Sequence, residues 1–333
     1  MSSVLVLGGT AWLGAMVARL ALESGHEVTC LARGEAGEVP QGARLVRADR
    51  SSSTAYAPVS GRAWDAVIDL TWQPGFAAAA LAALGERAAQ WTYVSSISVY
   101  RDDERGQQHE FAARLDPWQG SSASIAEYGA AKVACERSVT AVLGERALIV
   151  RPGLIGGPGD PSDRFGYWPA AFARAGTGPV VVPANRGAHT QTVDVRDLAS
   201  WLVACAAAGV VGVFNAVGAT TSLGDVLDIA STSADYRGEV LEASEDFLEE
   251  NGVRPWAGPR ALPLWLPTAD AWEFGTTPGD AALAAGLSLR PLSETARDVC
   301  EDELTRGLDR PRQAGITSSE ERELIDRLRG HRH

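Results

Sequence analysis

Four apolar residues, Val4 to Leu7, run directly into Gly8-Gly9-Thr10-Ala11-Trp12-Leu13-Gly14 and from there into a helical pattern. A buried strand, a glycine turn and a helix in that order constrain a chain strongly. Without side chains in the turn, a phosphate can approach the backbone, and the helix N-terminus offers unpaired N–H groups and the positive end of its dipole. Gly8, Gly9, Thr10, Trp12, Leu13 and Gly14 are therefore candidate dinucleotide contacts. An ordinary strand–helix turn is the plain alternative.

The pattern after the turn fits that beginning. Apolar runs at 27–31, 44–46, 66–70, 92–95 and 147–150 read as strands. Helical patterns cover 13–23, 76–89 and 128–143. Strands alternating with helices at this spacing imply βαβ units, hence an α/β fold with a Rossmann-like, doubly wound parallel sheet. Beyond Arg151 the texture changes. Residues 156–163 are rich in Gly, Pro and Asp and read as loop, 197–208 as a helix and 212–216 as a strand. From about 223 the pattern is irregular, and 255–267 carries several prolines and two tryptophans, which suggests a smaller, loop-rich C-terminal substrate lobe. A charged helix is expected at 318–329, opening on a Ser-Ser-Glu-Glu run. The expected organisation is a dinucleotide-binding domain of residues 1–160 and about 190–217, a substrate lobe of about 161–189 and 218–317, and a C-terminal helix and tail of 318–333.

Composition removes several functions. With 333 residues and 45% hydrophobic content, the chain can bury a large core. Its net charge of −12 gives no electrostatic footprint for nucleic acid and disfavours an anionic membrane surface. Cys30, Cys135, Cys205 and Cys300 form no CxxC pair or zinc-like cluster, so no metal site and a reducing, cytoplasmic setting are expected. No signal peptide is expected, because the apolar run at Val4 has no basic segment before it. The uncharged stretch 198–218 is broken by Gly209 and Gly212, and it reads as helix, turn and strand rather than a membrane span.

Lys132 is the single lysine among 30 basic residues, and it stands four residues after Tyr128. Residues at i and i+4 share a helical face. A fixed ammonium beside a phenol favours the phenolate, which suits Tyr128 to general acid–base work. A surface pair on an amphipathic helix is the plain alternative. Upstream, Ser96 follows a strand, where open α/β sheets bind ligands, and its hydroxyl could hold a substrate oxygen. Ser95 and Ser98 compete for that role, and capping is the plain reading of each serine. The second strand ends at Leu31-Ala32-Arg33 without a carboxylate at that point. An arginine there suits a 2′-phosphate, so NADP is expected, with NAD as the alternative.

These features together resemble the extended short-chain dehydrogenase/reductases of the NAD-dependent epimerase/dehydratase superfamily. The likeness rests on the glycine turn, Asp49 after the third strand, Ser96 before Tyr100, Tyr128-xxx-Lys132 and the Arg151-Pro152 segment leading to Gly157-Pro158-Gly159-Asp160. The resemblance implies that Tyr128 is the acid/base, that Lys132 binds the nicotinamide ribose and that Ser96 holds the reacting oxygen. It implies further that Asp49 meets the adenine and that Leu70, Thr71 and Pro152 line the cofactor. A homodimer through the helices at 76–89 and 128–143 is also a family expectation.

Departures narrow the reading. Ala11 replaces the middle glycine of the turn. Ile97 and Ser98 stand where dehydratases of the family carry an acidic pair, which argues against sugar 4,6-dehydration. Leu154 and Thr190 stand where nucleotide-sugar enzymes often place Asn and Arg. Trp72, Trp118, Tyr167 and Trp168, with Trp256, Trp265 and Trp272, suggest an apolar substrate side, although core packing is the plain reading for most tryptophans. The expected activity is NADP(H)-dependent reduction of a carbonyl on a small, non-nucleotide substrate, or oxidation of the matching alcohol. A sugar-type epimerase is the alternative, and a non-catalytic dinucleotide-binding protein is the third reading.

Overall fold

The computed structural model describes residues 1–101, 108–268 and 275–330. In chain order these form β1 (Ser3–Leu7), α1 (Trp12–Glu23), β2 (Glu27–Ala32), β3 (Arg44–Arg47), β4 (Trp64–Asp69), α2 (Pro74–Leu84), β5 (Ala88–Val94), α3 (Tyr128–Leu143) and β6 (Ala147–Pro152). There follow β7 (Leu154–Gly156), α4 (Tyr167–Ala175), β8 (Val180–Pro183), β9 (His189–Asp194), α5 (Val195–Ala208), β10 (Gly212–Ala216), β11 (Thr220–Ser222) and α6 (Leu223–Ser233). The last elements are β12 (Val240–Ala243), α7 (Glu245–Glu250), β13 (Arg254–Trp256), β14 (Ala261–Pro263), α8 (Asp280–Ala284), α9 (Leu292–Arg306) and α10 (Ser318–Gly330). Two compact units emerge: Met1–Gly153 with Val195–Val217 and Thr277–Ser288, and Leu154–Asp194 with Gly218–Thr276 and Leu289–His333.

The first unit is built on a seven-stranded sheet in the order β10-β6-β5-β4-β1-β2-β3. Every pairing in it is parallel. This is the doubly wound, Rossmann-like architecture expected from the alternation. β1 and β4 are neighbours, but β2 and β3 lie on the far side of β1, so strand order reverses there. Ligands in open α/β sheets bind outside the carboxyl ends of the strands at such a reversal. Leu5 and Leu7 of β1, Leu31 of β2 and Val67 of β4 are fully buried, as central parallel strands require. α1 buries Gly14, Val17, Ala18 and Ala21, small residues at helical spacing.

Helix limits have local causes. α3 begins after a capping box in which Ser124 and Glu127 satisfy each other's backbone, and it ends at Gly144, where φ is +56°. α2 is shorter than the alanine pattern predicts. It stops at Leu84 before Gly85, and Ala88 already belongs to β5.

The second unit is less irregular than its sequence suggests. Around three small sheets, β11-β9-β7, β12-β8 and β13-β14, it carries α4, α6, α7, α9 and α10. Its core includes Tyr167, Trp168, Phe172 and Trp265. Trp168 Nε1 donates to Pro263 O at 2.8 Å. Asp163 and Glu303, both buried, are held by Arg306, Arg310 and Arg312. Among the described residues no helix is long and apolar enough to cross a membrane.

Candidate active site

The glycine turn sits at the carboxyl end of β1, beside the reversal. Gly8 has φ +103°, a conformation that favours glycine, and its N–H donates to Leu31 O at 2.9 Å. A Cβ on Gly14 would run into Gly8 O and come within 3.0 Å of Gly9 Cα. The first turn of α1 therefore lies directly on the glycine backbone. Ala11 caps α1 without a side-chain hydrogen bond, and no acidic residue occupies the first turn. A glycine backbone packed on a helix N-terminus that has no side-chain cap fits the pyrophosphate of a dinucleotide. Thr10 is buried, and Trp12 and Leu13 are half-buried at the start of the helix.

Leu70 and Thr71 leave the carboxyl end of the neighbouring strand β4. Leu70 N donates to Leu7 O at 3.3 Å, and Leu70 Cβ would lie 3.8 Å from a Cβ on Gly8. Thr71 O accepts from Tyr93 Oη at 3.0 Å and from Lys132 Nζ at 2.9 Å. Lys132 also donates to Val94 O at 2.6 Å, so one buried ammonium ties the ends of β4 and β5 together. Its Nζ stands 5.8 Å from the centre of the Tyr128 ring. Trp72 packs on that ring, with centroids 5.7 Å apart. Gln73 exchanges two 3.0 Å bonds with the backbone of Ala123, which fixes the approach to α3.

Ser96 follows β5 and caps a short 3₁₀ turn. Its Oγ accepts from Ser98 N and donates to Ser98 Oγ, both at 3.1 Å. A Cβ on Gly129 would collide with Ser98 O, so this turn presses against the residue after Tyr128. Ser95 does not compete for substrate, because it is buried and donates to Glu136 Oε1 at 2.6 Å. Pro152 is buried at the end of β6.

Arg33 and Asp49, which the resemblance places near the adenosine, are both exposed. Arg33 pairs with Glu35 at 3.2 Å. The Ser51 backbone and hydroxyl, and more weakly the Arg33 charge, hold the Asp49 carboxyl below its ordinary range.

Two buried ion pairs beneath the site escape a reading of motifs. Glu136 lies one turn beyond Lys132 on α3 and is wholly buried. It accepts from Arg151 Nε at 2.9 Å, Arg151 Nη2 at 2.7 Å and Arg114 Nη1 at 2.7 Å. Burial pushes its carboxyl up, but Arg151, Ser95 and Arg114 outweigh burial and leave it below the ordinary glutamate value. Arg151 Nη1 continues to Tyr100 Oη at 2.9 Å, which donates to Asn215 Oδ1 at 2.6 Å. Under β4, Asp69 receives two bonds from Arg50, at 2.8 and 3.0 Å, and Asp69 Oδ1 accepts from Thr71 N at 3.1 Å. Asp69 thus supports the backbone that Lys132 grips. The sequence signal for Glu136 was its place four residues after Lys132, and Asp69 gave none beyond its strand.

The expected aromatic substrate side is corrected in part. Tyr167, Trp168 and Trp265 are core residues of the second unit, because their ring area is needed to fill it. Trp118 Nε1 donates to Ser122 O at 2.8 Å within the approach to α3. Trp256 packs at the edge of the second unit's core, and Trp272 lies outside the described residues. Trp72 alone of this group has its ring on Tyr128 among the contacts above. No group of His, Cys, Asp or Glu able to hold a metal occurs among the described residues.

A sheet of this order with a glycine cradle at its reversal defines a dinucleotide-binding α/β protein. The sequence profile of the NAD dependent epimerase/dehydratase family matches residues 4–216, and the chain belongs to that family. A candidate epimerase from Burkholderia cenocepacia J2315 has the same fold with a TM-score of 0.69 at 21% identity, covering 90% of this chain and 97% of the other. The UDP-glucose 4-epimerase of Thermus thermophilus, solved with NAD, gives 0.62 at 16% identity, with 90% and 98% coverage. The UDP-N-acetylglucosamine 4-epimerase of Bacillus cereus gives 0.64 at 16% identity, with 95% and 100% coverage. At these identities the likeness is one of fold. No curated protein matches the chain in sequence.

Proposed function

We propose that the protein is a nicotinamide-dependent enzyme acting at the carbon of an alcohol or its carbonyl, with Tyr128 as proton donor and acceptor. The observation that carries this reading is the Tyr128–Lys132 pair on α3, its ammonium anchored to Thr71 O and Val94 O beside the glycine cradle. The bound nicotinamide would supply or accept the hydride. The Tyr128 hydroxyl passes the proton to and from the reacting oxygen, while the Lys132 charge lies beside its ring. Ser96 exchanges its bond with Ser98 for one to the same oxygen and so fixes its direction. The glycine turn and α1 would hold the pyrophosphate, and Leu70, Thr71 and Pro152 would flank the nicotinamide half.

Within this chemistry we put epimerisation of a sugar-type substrate first. The alcohol carbon is oxidised and reduced again on the other face, with no net use of cofactor. Membership of the epimerase/dehydratase family supports it. NADP(H)-dependent reduction of a small carbonyl compound is the second reading. It is favoured by Leu154 and Thr190, which are both buried and offer no anchor to a substrate diphosphate. The four unpaired cysteines lead us to place the protein in the cytoplasm.

The test separates the two. The protein is incubated with NAD⁺ and UDP-glucose or UDP-N-acetylglucosamine, and the sugars are resolved by NMR. In parallel, NADPH oxidation is followed over a panel of ketones and aldehydes. Sugar interconversion without net change in nicotinamide supports epimerisation, and steady NADPH oxidation supports reduction. Dinucleotide binding with no turnover in either arm overturns the proposal.

A further inference from the structure

We infer that Tyr93 is a positioning residue for the proposed reaction, because it holds the carbonyl from which Lys132 is hung beside Tyr128. This inference rests on the nicotinamide-dependent reading above. Tyr93 stands opposite Asp69 where β4 and β5 pair, near the carboxyl ends of both strands, so the two side chains share one face of the sheet. Both reach Thr71. Asp69 Oδ1 accepts from Thr71 N at 3.1 Å, and Tyr93 Oη donates to Thr71 O at 3.0 Å. Thr71 is thus held at both its N–H and its C=O before Lys132 adds a bond of 2.9 Å to the same oxygen.

Lys132 needs such a fixed acceptor. Its side chain is buried, and among the described residues its ammonium bonds to two main-chain carbonyls, Thr71 O and Val94 O, and to no carboxylate. A buried charge held by dipoles alone depends on where those dipoles point. A carbonyl oxygen has two lone pairs. At Thr71 O, Tyr93 takes one and Lys132 the other, so the carbonyl cannot turn without straining one of the two bonds. The Tyr93 ring adds a second hold. Lys132 Nζ lies 5.1 Å from its centre and 5.8 Å from that of Tyr128, so the ammonium sits against both rings. Tyr93 is fully buried, and burial holds its hydroxyl protonated well above the ordinary phenol range. It is therefore a constant donor and no rival to Tyr128 as acid and base. The same hydroxyl meets the thiol of Cys135, which follows Lys132 on α3. Tyr93 thereby ties the end of β4 to the helix that carries both Tyr128 and Lys132.

The experiment compares wild type, Tyr93→Phe and a control, Thr92→Val. Tyr93→Phe removes the hydroxyl and keeps the ring, so the core retains its volume. Thr71 O is then free to pivot on its remaining side-chain bond, and the Lys132 ammonium moves with it. Thr92→Val removes an equally buried hydroxyl from the next residue of β5, on the other face of the sheet, where it donates to Gln90 Oε1. The assay is whichever arm of the test above, sugar interconversion or NADPH oxidation, wild type turns over, run in H₂O and in D₂O. Tyr93→Phe should lower kcat about tenfold and leave the substrate KM within about twofold, the pattern of a slightly displaced group that acts in the transition state. Its solvent isotope effect on kcat should exceed that of wild type, because proton transfer through Tyr128 is the step that slows. Thr92→Val should show neither change, although it too gives up a buried hydrogen bond. A kcat for Tyr93→Phe within about twofold of wild type, or a loss and isotope effect that Thr92→Val reproduces, would overturn the inference and leave the proposed function standing. Dinucleotide binding by wild type with no turnover in either arm would remove the inference together with the reading it rests on.

Discussion

Replacing Glu136 by alanine tests whether the buried network behind α3 holds the site together. The carboxylate receives four hydrogen bonds, from Ser95, Arg114 and two nitrogens of Arg151. Arg151 is 1% exposed, so without Glu136 its charge stays buried with, among the described residues, Tyr100 Oη and Glu110 O as its remaining hydrogen-bond partners. Breaking a buried pair from one side costs about 3–5 kcal/mol. Against a typical total of about 5–15 kcal/mol, that is a large fraction. Urea denaturation followed by circular dichroism measures it. The double variant Glu136→Leu/Arg151→Met removes both charges, and buried pairs replaced by apolar groups are often near neutral. It should recover at least half of the loss. The pH dependence has a fixed sign. The folded carboxyl sits below its ordinary value of 4.5, so the stability it contributes is full above that value and is lost as pH falls through the lower, folded one. Glu136→Ala should flatten this acid limb. A loss under about 1 kcal/mol, or a double variant no better than the single, would refute the reasoning.

Two further outcomes follow from the same geometry. Gly14→Ala places a methyl group against Gly8 O and Gly9 Cα, so the turn must open; NADH affinity should fall at least about tenfold in a fluorescence titration, and unchanged affinity would contradict the close approach. Arg50→Met leaves Asp69, 1% exposed, without its buried partner; stability should fall by about 3–5 kcal/mol in urea, and Asp69→Asn in the same background should restore part of it.

Much of the first unit was legible because its signals are local. β1, the glycine turn and α1 follow one another without a gap, and α3 is bracketed by Ser124–Glu127 and Gly144. Tyr128 and Lys132 share a helix face by spacing alone. What tertiary structure decides was not legible. Glu136 meets Ser95 across 41 positions and Arg114 across 22, and no motif joins them. The partners of Lys132 are main-chain carbonyls, which leave no trace in side-chain identity. α9 was missed because its buried face carries Thr295, Ala296, Cys300 and Glu303 with Val299 as its one aliphatic of any size. The tryptophans misled for the opposite reason: an aromatic side chain fits a core as well as a cleft, and Trp168 and Trp265 fill the core of the second unit.

The most direct test of the central claim compares wild type with Tyr128→Phe. Each is titrated with dinucleotide and then assayed on the substrate that the sugar and carbonyl panels identify. The account predicts equal dinucleotide affinity, with turnover in the wild type and a loss of at least about a hundredfold in the variant. Turnover of Tyr128→Phe close to wild type would contradict the assignment of Tyr128 as the proton-transferring group.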